Sequence, residues 1–123
     1  MKLAIVGSRD FTDSTLLIEN LHMFIAAYGS LWDEKIEVIS GGAKGADSLA
    51  RKAALIMQPE GVKYTEFPAL WQTHGKAAGF IRNQQIVDAC DVVLAFWDGK
   101  SRGTNHTIKL AKQAKKPTFI VYF

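Results

Sequence analysis

The chain has 123 residues, 48% of them hydrophobic, and a net charge of +3 from 15 Lys and Arg against 12 Asp and Glu. That length favours one domain with one core, and that apolar content is too high for disorder. The longest apolar runs, such as Val92 to Trp97, reach five or six residues, against the roughly 18 that a membrane span requires.

The elements alternate from the start. A first strand at Leu3–Gly7, with β character from Lys2 onward, leaves no room for a signal peptide. Gly7-Ser8-Arg9-Asp10-Phe11 follows it. Gly7 permits a sharp turn, Ser8 can donate to a phosphate, and Arg9 offers a fixed fork of donors. A helix is expected from about Asp13 to Tyr28, with Leu17, Leu21, Phe24, Ile25 and Tyr28 on one stripe. The second strand, Ile36–Ser40, runs into Ser40-Gly41-Gly42-Ala43-Lys44-Gly45-Ala46-Asp47. Glycines at 41, 42 and 45 at a strand-to-helix junction admit close approach of an anion, and the helix that starts near Gly45 turns its N–H groups toward it. The spacing is neither a Walker A loop nor GxGxxG. Asp47, in the first helical turn, reads either as a partner of the helix dipole or as a sugar-hydroxyl acceptor or general acid/base.

A third strand at Val62–Phe67 leads into a longer segment, 67–76, with the character of a lid. Trp71 there is a candidate for stacking on a base and His74 for touching a phosphate, although plain loop packing fits both. Glu66 ends the strand about where a ribose-binding acid sits in dinucleotide folds. The third helix, roughly Ala77 to Ala89, carries Arg82 and Asn83. Asn83 lies three, four and seven residues before Ile86, Val87 and Cys90, which puts a polar residue on the apolar face, where it needs partners. Arg82 is a candidate clamp for phosphate or carboxylate. Cys90 is the sole cysteine. It excludes an internal disulfide and reads as a small buried hydrophobe, in keeping with a reducing cytosol.

The fourth strand, Val92–Trp97, opens a second loop of glycines, hydroxyls and cations, Asp98-Gly99-Lys100-Ser101-Arg102-Gly103-Thr104. Trp97 is a second stacking candidate, and Asp98 joins Asp47 as a candidate acid. The last helix, Gly103 to Lys115, holds His106 in its first turn, expected to be exposed or capping. Pro117 then ends the helix and Thr118–Phe123 forms the fifth strand. Continuous apolar strands with helices between them predict an α/β, Rossmann-like three-layer sandwich: a five-stranded parallel sheet, ordered 3-2-1-4-5, with right-handed crossovers. Ligands of such sheets bind at the switch point, here between strands one and four.

Gly-Ser-Arg at 7–9, the Ser-Gly-Gly-Ala-Lys-Gly-Ala-Asp run at 40–47, Arg-Asn at 82–83 and Asp-Gly-Lys-Ser-Arg-Gly-Thr at 98–104 resemble the SLOG superfamily, named for the Smf/DNA-processing and Lonely Guy proteins. Within it the match is to the YspA-type branch of small bacterial and phage proteins, and it spans essentially the whole chain. The resemblance implies a domain, 1–123, that binds nucleotides or nucleotide-derived ligands, ADP-ribose-like signals included. It does not fix an activity. Lonely Guy phosphoribohydrolases resemble Pro-Gly-Gly-x-Gly-Thr-x-x-Glu at the fourth loop. Aligning Gly103-Thr104 on their Gly-Thr puts Thr107 where their glutamate stands, so the carboxylate implied in cleaving the N-glycosidic bond is missing.

The leading expectation is therefore a cytoplasmic domain that senses or sequesters a phosphate-bearing nucleotide derivative such as ADP-ribose, NAD or a nucleoside monophosphate. The phosphate-binding set is Gly7, Ser8, Arg9, Ser40, Gly41, Gly42, Lys44, Gly45, Asp47, Arg82, Asn83, Ser101, Arg102, Gly103 and Thr104. One alternative is an N-glycosidase or phosphoribohydrolase using Asp47 or Asp98. The other is a nucleic-acid-binding protein of the DNA-processing kind. The mild charge and the lack of a stripe of basic and aromatic residues argue against nucleic acid as a partner. No cofactor is expected beyond the nucleotide-derived ligand. With no cysteine partners and scattered histidines no metal site is expected either. Membrane is excluded as a partner and self-association is left open.

Overall fold

The computed structural model describes residues 1–29, 36–42 and 45–123; the side chains at 28, 29 and 60 are also outside the description. Five strands alternate with helices: β1 (Lys2–Gly7), α1 (Ser14–Phe24), β2 (Glu37–Ser40), α2 (Ala46–Ile56), β3 (Lys63–Glu66), a one-turn α3 (Trp71–His74), α4 (Ala78–Ala89), β4 (Val92–Trp97), α5 (Arg102–Gln113) and β5 (Thr118–Tyr122). The sheet is parallel throughout, in the order β3-β2-β1-β4-β5. This is the Rossmann-like α/β fold expected from the sequence, with the chain switching sides of β1 after β3.

Each central strand is apolar on both faces because each face meets helices. Leu3 and Ile5 of β1, with Leu94 and Phe96 of β4, join the core beneath α1 and α2. Ala4 and Val6, with Val93 and Ala95, join the core beneath α4 and α5. Asp13 caps α1, its carboxylate accepting from Leu16 N at 3.0 Å, and Leu17, Leu21 and Phe24 form its buried stripe. The helix then loosens into a π turn, Ile25–Gly29. The Tyr28 side chain expected on that stripe lies outside the described residues. α2 buries Ala46, Ala50, Ala53 and Ala54, small side chains that bring its axis close to the sheet. α5 ends where Lys115 takes a positive φ of 58° and Lys116 N returns to Ala111 O at 3.0 Å. That is a left-handed terminus, and Pro117 follows it.

Two elements differ from the expectation. The third strand is only Lys63–Glu66, exposed at both ends and half-buried between, because it is a sheet edge and needs no two-sided apolar cover. The 67–76 segment is not an irregular lid but the one-turn α3, followed by a 3-10 turn over Gly75–Ala77. Among the described residues no helix is long and apolar enough to cross a membrane.

The loops after β1 and β2 meet backbone to backbone. Gly45 has φ 80°, and a Cβ on it would lie 2.2 Å from Ser8 O and 2.7 Å from the Arg9 backbone. Ala46 N approaches the same carbonyl at 3.5 Å. Only glycine fits both the torsion and the contact. Gly45→Ala is therefore expected to destabilise the fold by about 2 kcal/mol or more, lowering Tm by ~6–12 °C. Thermal melts followed by circular dichroism check this, and an unchanged Tm would mean that the two loops are not tied at this point.

Candidate functional site

The C-terminal ends of β1 and β4 open into a cleft of about 600 Å³, at the switch point of the sheet. Its floor is Val6 and Gly7 of β1 with Ile86 of α4. Its walls come from five separate stretches of chain: Ser8, Arg9 and Asp10 after β1, Asp47 of α2, Trp71 and Lys76 before α4, Gly79, Phe80, Arg82 and Asn83 of α4, and Asp98, Lys100, Ser101, Gly103, Thr104 and Thr107 around the start of α5. Of the sequence candidates, Gly7, Ser8, Arg9, Asp47, Trp71, Arg82, Asn83, Ser101, Gly103 and Thr104 line this one space, as does Asp98.

The buried polar members hold the cleft in shape. Asn83, 7% exposed, gives its amide N–H to Gly103 O at 3.3 Å and lies 3.2 Å from His106 Nδ1. Its carbonyl accepts from Arg82 Nε at 3.1 Å. The amide on the apolar face thus has a full set of partners, and it ties α4 to the first turn of α5. Ser8, buried to 2% exposure, accepts from Asp98 N at 3.3 Å through its hydroxyl. Asp98 Oδ1 accepts from Lys100 N and Ser101 N, both at 2.8 Å. These backbone donors hold its carboxyl below the usual range, and Asp98 clasps its own loop. Thr107 lines the cleft, and its hydroxyl is given to Gly103 O at 3.2 Å.

Arg82 Nη1 donates to Gly41 O at 3.0 Å. A Cβ on Gly41 would lie 2.2 Å from that nitrogen and 2.9 Å from Asp47 Oδ2, so glycine at 41 makes room for the arginine and the buried carboxylate together. Gly103 is the opposite case. It lies in helical α5 with no positive φ, and nothing comes within 4 Å of where its Cβ would be. The space in front of it is the cleft.

Other candidates are placed away from this space. Ser40 is fully buried with Oγ 3.5 Å from Asp47 O. Gly45 packs on Ser8, as described, and Gly42 lies under the Glu66 carboxyl. Glu66 itself accepts from Tyr64 Oη at 2.8 Å and lines a different groove, between α2 and the β3 edge. Trp97 donates Nε1 to Ser101 O at 3.1 Å and leans on Tyr122, which makes it a brace for the loop and not a stacking surface in the cleft. Arg102 is exposed outside the lining, and Lys44 lies outside the described residues. His106 is neither free nor capping. Phe80 packs edge-on against its ring at 4.6 Å, and burial together with nearby Lys109 lowers its pKa.

Sequence reasoning missed Lys76, Gly79, Phe80 and Lys100. Phe80 and Trp71 are each 54% exposed at the cleft, and the Trp71 ring comes within 3.6 Å of a Cβ built on Gly79. An unburied phenylalanine beside Arg82-Asn83 carries no periodic signal of its own; its meaning comes from the cleft.

The sequence pattern described as the YspA, cpYpsA-related SLOG family (YAcAr) matches residues 1–74. The chain belongs to this family. A phage relative, the Gene 61 protein of Mycobacterium phage D29, is 39% identical to it across 94% of this chain and 92% of its own. Solved structures with the same fold include DNA processing protein A from Streptococcus pneumoniae, with TM-score 0.71 and 21% identity over 97% of this chain. The Helicobacter pylori protein of that name, studied for its single-stranded DNA binding mode, has TM-score 0.63 and 22% identity over 98% of the chain. This chain spans 49% and 64% of those two, respectively.

These neighbours correct one expectation. The case against nucleic acid rested on mild net charge and on the lack of a linear stripe of basic and aromatic residues. The Helicobacter protein, which contains the same fold, binds single-stranded DNA. In this SLOG domain Arg9, Lys76, Arg82, Lys100, Trp71 and Phe80 come from distant stretches of chain into one cleft, a grouping no linear stripe or net charge reports.

His106 supplies a test of the joint at Asn83. Its folded pKa lies below the ordinary value, so the unfolded chain binds the proton more tightly. Its contribution is present above about pH 6.5 and is lost as pH falls from there through the lower folded value. Urea midpoints are expected to drop more between pH 7 and 5 in the wild type than in His106→Gln. Parallel curves would mean that the ring titrates as if free.

Proposed function

We propose that this SLOG domain binds a phosphate-bearing nucleotide or nucleotide derivative in the cleft at the C-terminal edge of its sheet, acting in the cytoplasm as a sensor or sequestering domain. The observation that carries this reading is the open space in front of Gly103 at the start of α5. A helix N-terminus favours an anion through its unpaired N–H groups and dipole. Arg9, Arg82, Lys76 and Lys100 border the same space, and guanidinium forks suit phosphate oxygens. Asp98 is engaged by its own loop and position 107 is a threonine, which supports binding over cleavage of the glycosidic bond.

Gly103 separates the site from the fold. Gly103→Val places a branched side chain between the helix N-terminus and the anion. Affinity is expected to fall ~100-fold or more, with less than about 1 kcal/mol change in stability. Gly103→Ala weakens binding with Tm nearly unchanged. Calorimetric titration beside thermal melts checks both, using ADP-ribose, NAD and AMP against the matching nucleosides. Equal binding of nucleosides and phosphates, or wild-type affinity in folded Gly103→Val, would move the anion site elsewhere.

A second reading is favoured by the two exposed rings. Trp71 and Phe80 beside four cations form the kind of stacking surface that single-stranded nucleic acid uses, worth about 1–3 kcal/mol per stacked base. If the ligand is a strand, Trp71→Ala and Phe80→Ala each weaken oligothymidylate binding by ~5–100-fold, and affinity falls steeply with salt. Fluorescence anisotropy at several salt concentrations decides it. Tight mononucleotide binding without measurable oligonucleotide binding would discard the strand reading.

A further inference from the structure

The sheet has two edges, and they are built differently. β3 carries Lys63 and Glu66 in a strand of four residues. Charges and shortness are the usual protection of an edge against pairing with another chain. β5 is Thr118-Phe119-Ile120-Val121-Tyr122, with no charge, glycine or proline within it. Its side chains are only partly covered on both faces. Phe119 leans on Phe24 of α1 and is 45% exposed. Tyr122 leans on Trp97 and is 64% exposed. Phe123, beyond the strand, reaches Phe11 and is 48% exposed.

The main chain of that edge is also available. Val93 N donates to Pro117 O at 2.9 Å, in the register Val93↔Thr118. In a parallel ladder the groups facing one neighbour come from alternate residues. Pro117, Phe119 and Val121 therefore face β4, and the N–H and C=O groups of Thr118, Ile120 and Tyr122 face outward.

We infer that β5 is a self-association edge, on which a second copy of this chain pairs its own β5 antiparallel about a two-fold axis through Ile120. The strand is complementary to itself in that arrangement. Thr118 pairs with Tyr122 of the other copy and Ile120 with its own equivalent, all through the outward-facing groups, for about six hydrogen bonds. Phe119 then stands opposite Val121 of the other copy at the non-hydrogen-bonded positions, where side chains are closest. Aromatic and β-branched residues pair well there.

The exposed rings supply part of the area a modest dimer needs. Rings of roughly 200 Å² each, exposed as stated, offer about 300 Å² per copy and ~600 Å² for the pair. That is half of the ~1,200 Å² at the lower end of specific interfaces, before the strand backbone and flanking helices are added. The product is one continuous sheet of ten strands, two copies of the five, with the two clefts opening in opposite directions.

The test is analytical ultracentrifugation of the full chain from about 1 to 100 μM, a range suited to an interface at the small end of the scale. The wild type is expected to pass from monomer to dimer. Thr118→Lys/Tyr122→Lys sets like charges opposite each other at both ends of the paired strands. It is expected to weaken the dimer at least ~10-fold, and Thr118→Glu/Tyr122→Glu the same. Mixing the two variants restores a dimer containing one copy of each, which a misfolded protein would not do; circular dichroism of each variant confirms the fold. A wild type that stays monomeric throughout, a Lys variant that dimerises undiminished, or folded variants that fail to pair when mixed would each overturn the proposal.

Discussion

The Cα of Gly45 rests against the carbonyl of Ser8, closer than any side chain allows. That contact joins the turn after β1 to the turn before α2, and much of the site follows from it. It sets Ala46 over Gly7, where a Cβ on the strand residue would lie 2.6 Å from the alanine methyl. It brings the first turn of α2, and with it Asp47, beside Gly41 and the Arg82 guanidinium. A second joint at Asn83 does the same on the other side of the switch point, linking α4 to α5 through Gly103 O.

The polar groups of the cleft divide by what they already hold. Ser8, Asn83, Thr107 and the Asp98 carboxylate each have protein partners. They close loops and satisfy buried donors, a requirement any sheet-edge crevice must meet because an unpaired buried polar group is costly. The cations and the two exposed rings surround an opening whose backbone is bare at Gly103. The cleft thus combines polar groups already engaged within the protein with cations and rings that border its opening.

The two sheet edges extend the same logic outward. β3 is short and charged and carries Tyr64, whose phenol is pushed well above its ordinary range by burial and by its hydrogen bond to Glu66. β5 is apolar on both faces and ends beside the aromatic contacts of Phe11 and Trp97, next to the loops that frame the cleft. β5, one strand beyond β4, is thus the uncharged edge of the sheet.

The layer architecture was legible from residues alone. Runs such as Val92–Trp97, apolar at every position, require cover on both faces, and the βα alternation with right-handed crossovers then leaves few sheet orders. The glycine loops were legible too, since Gly41 and Gly45 mark places where backbone or guanidinium approaches closely. What those glycines approach was not. Gly45 meets Ser8, a residue 37 positions earlier, and reads in sequence like any anion-binding glycine. Trp71 and Trp97 look alike as stacking candidates, yet one faces the cleft and the other braces a loop through Ser101 O. Local pattern determines which element a residue joins and which face it takes, because periodicity is a property of neighbours. Whether a polar or aromatic side chain on that face is engaged or presented depends on partners distant in the chain, and only the tertiary packing of separate loops and helix ends on one sheet edge decided that.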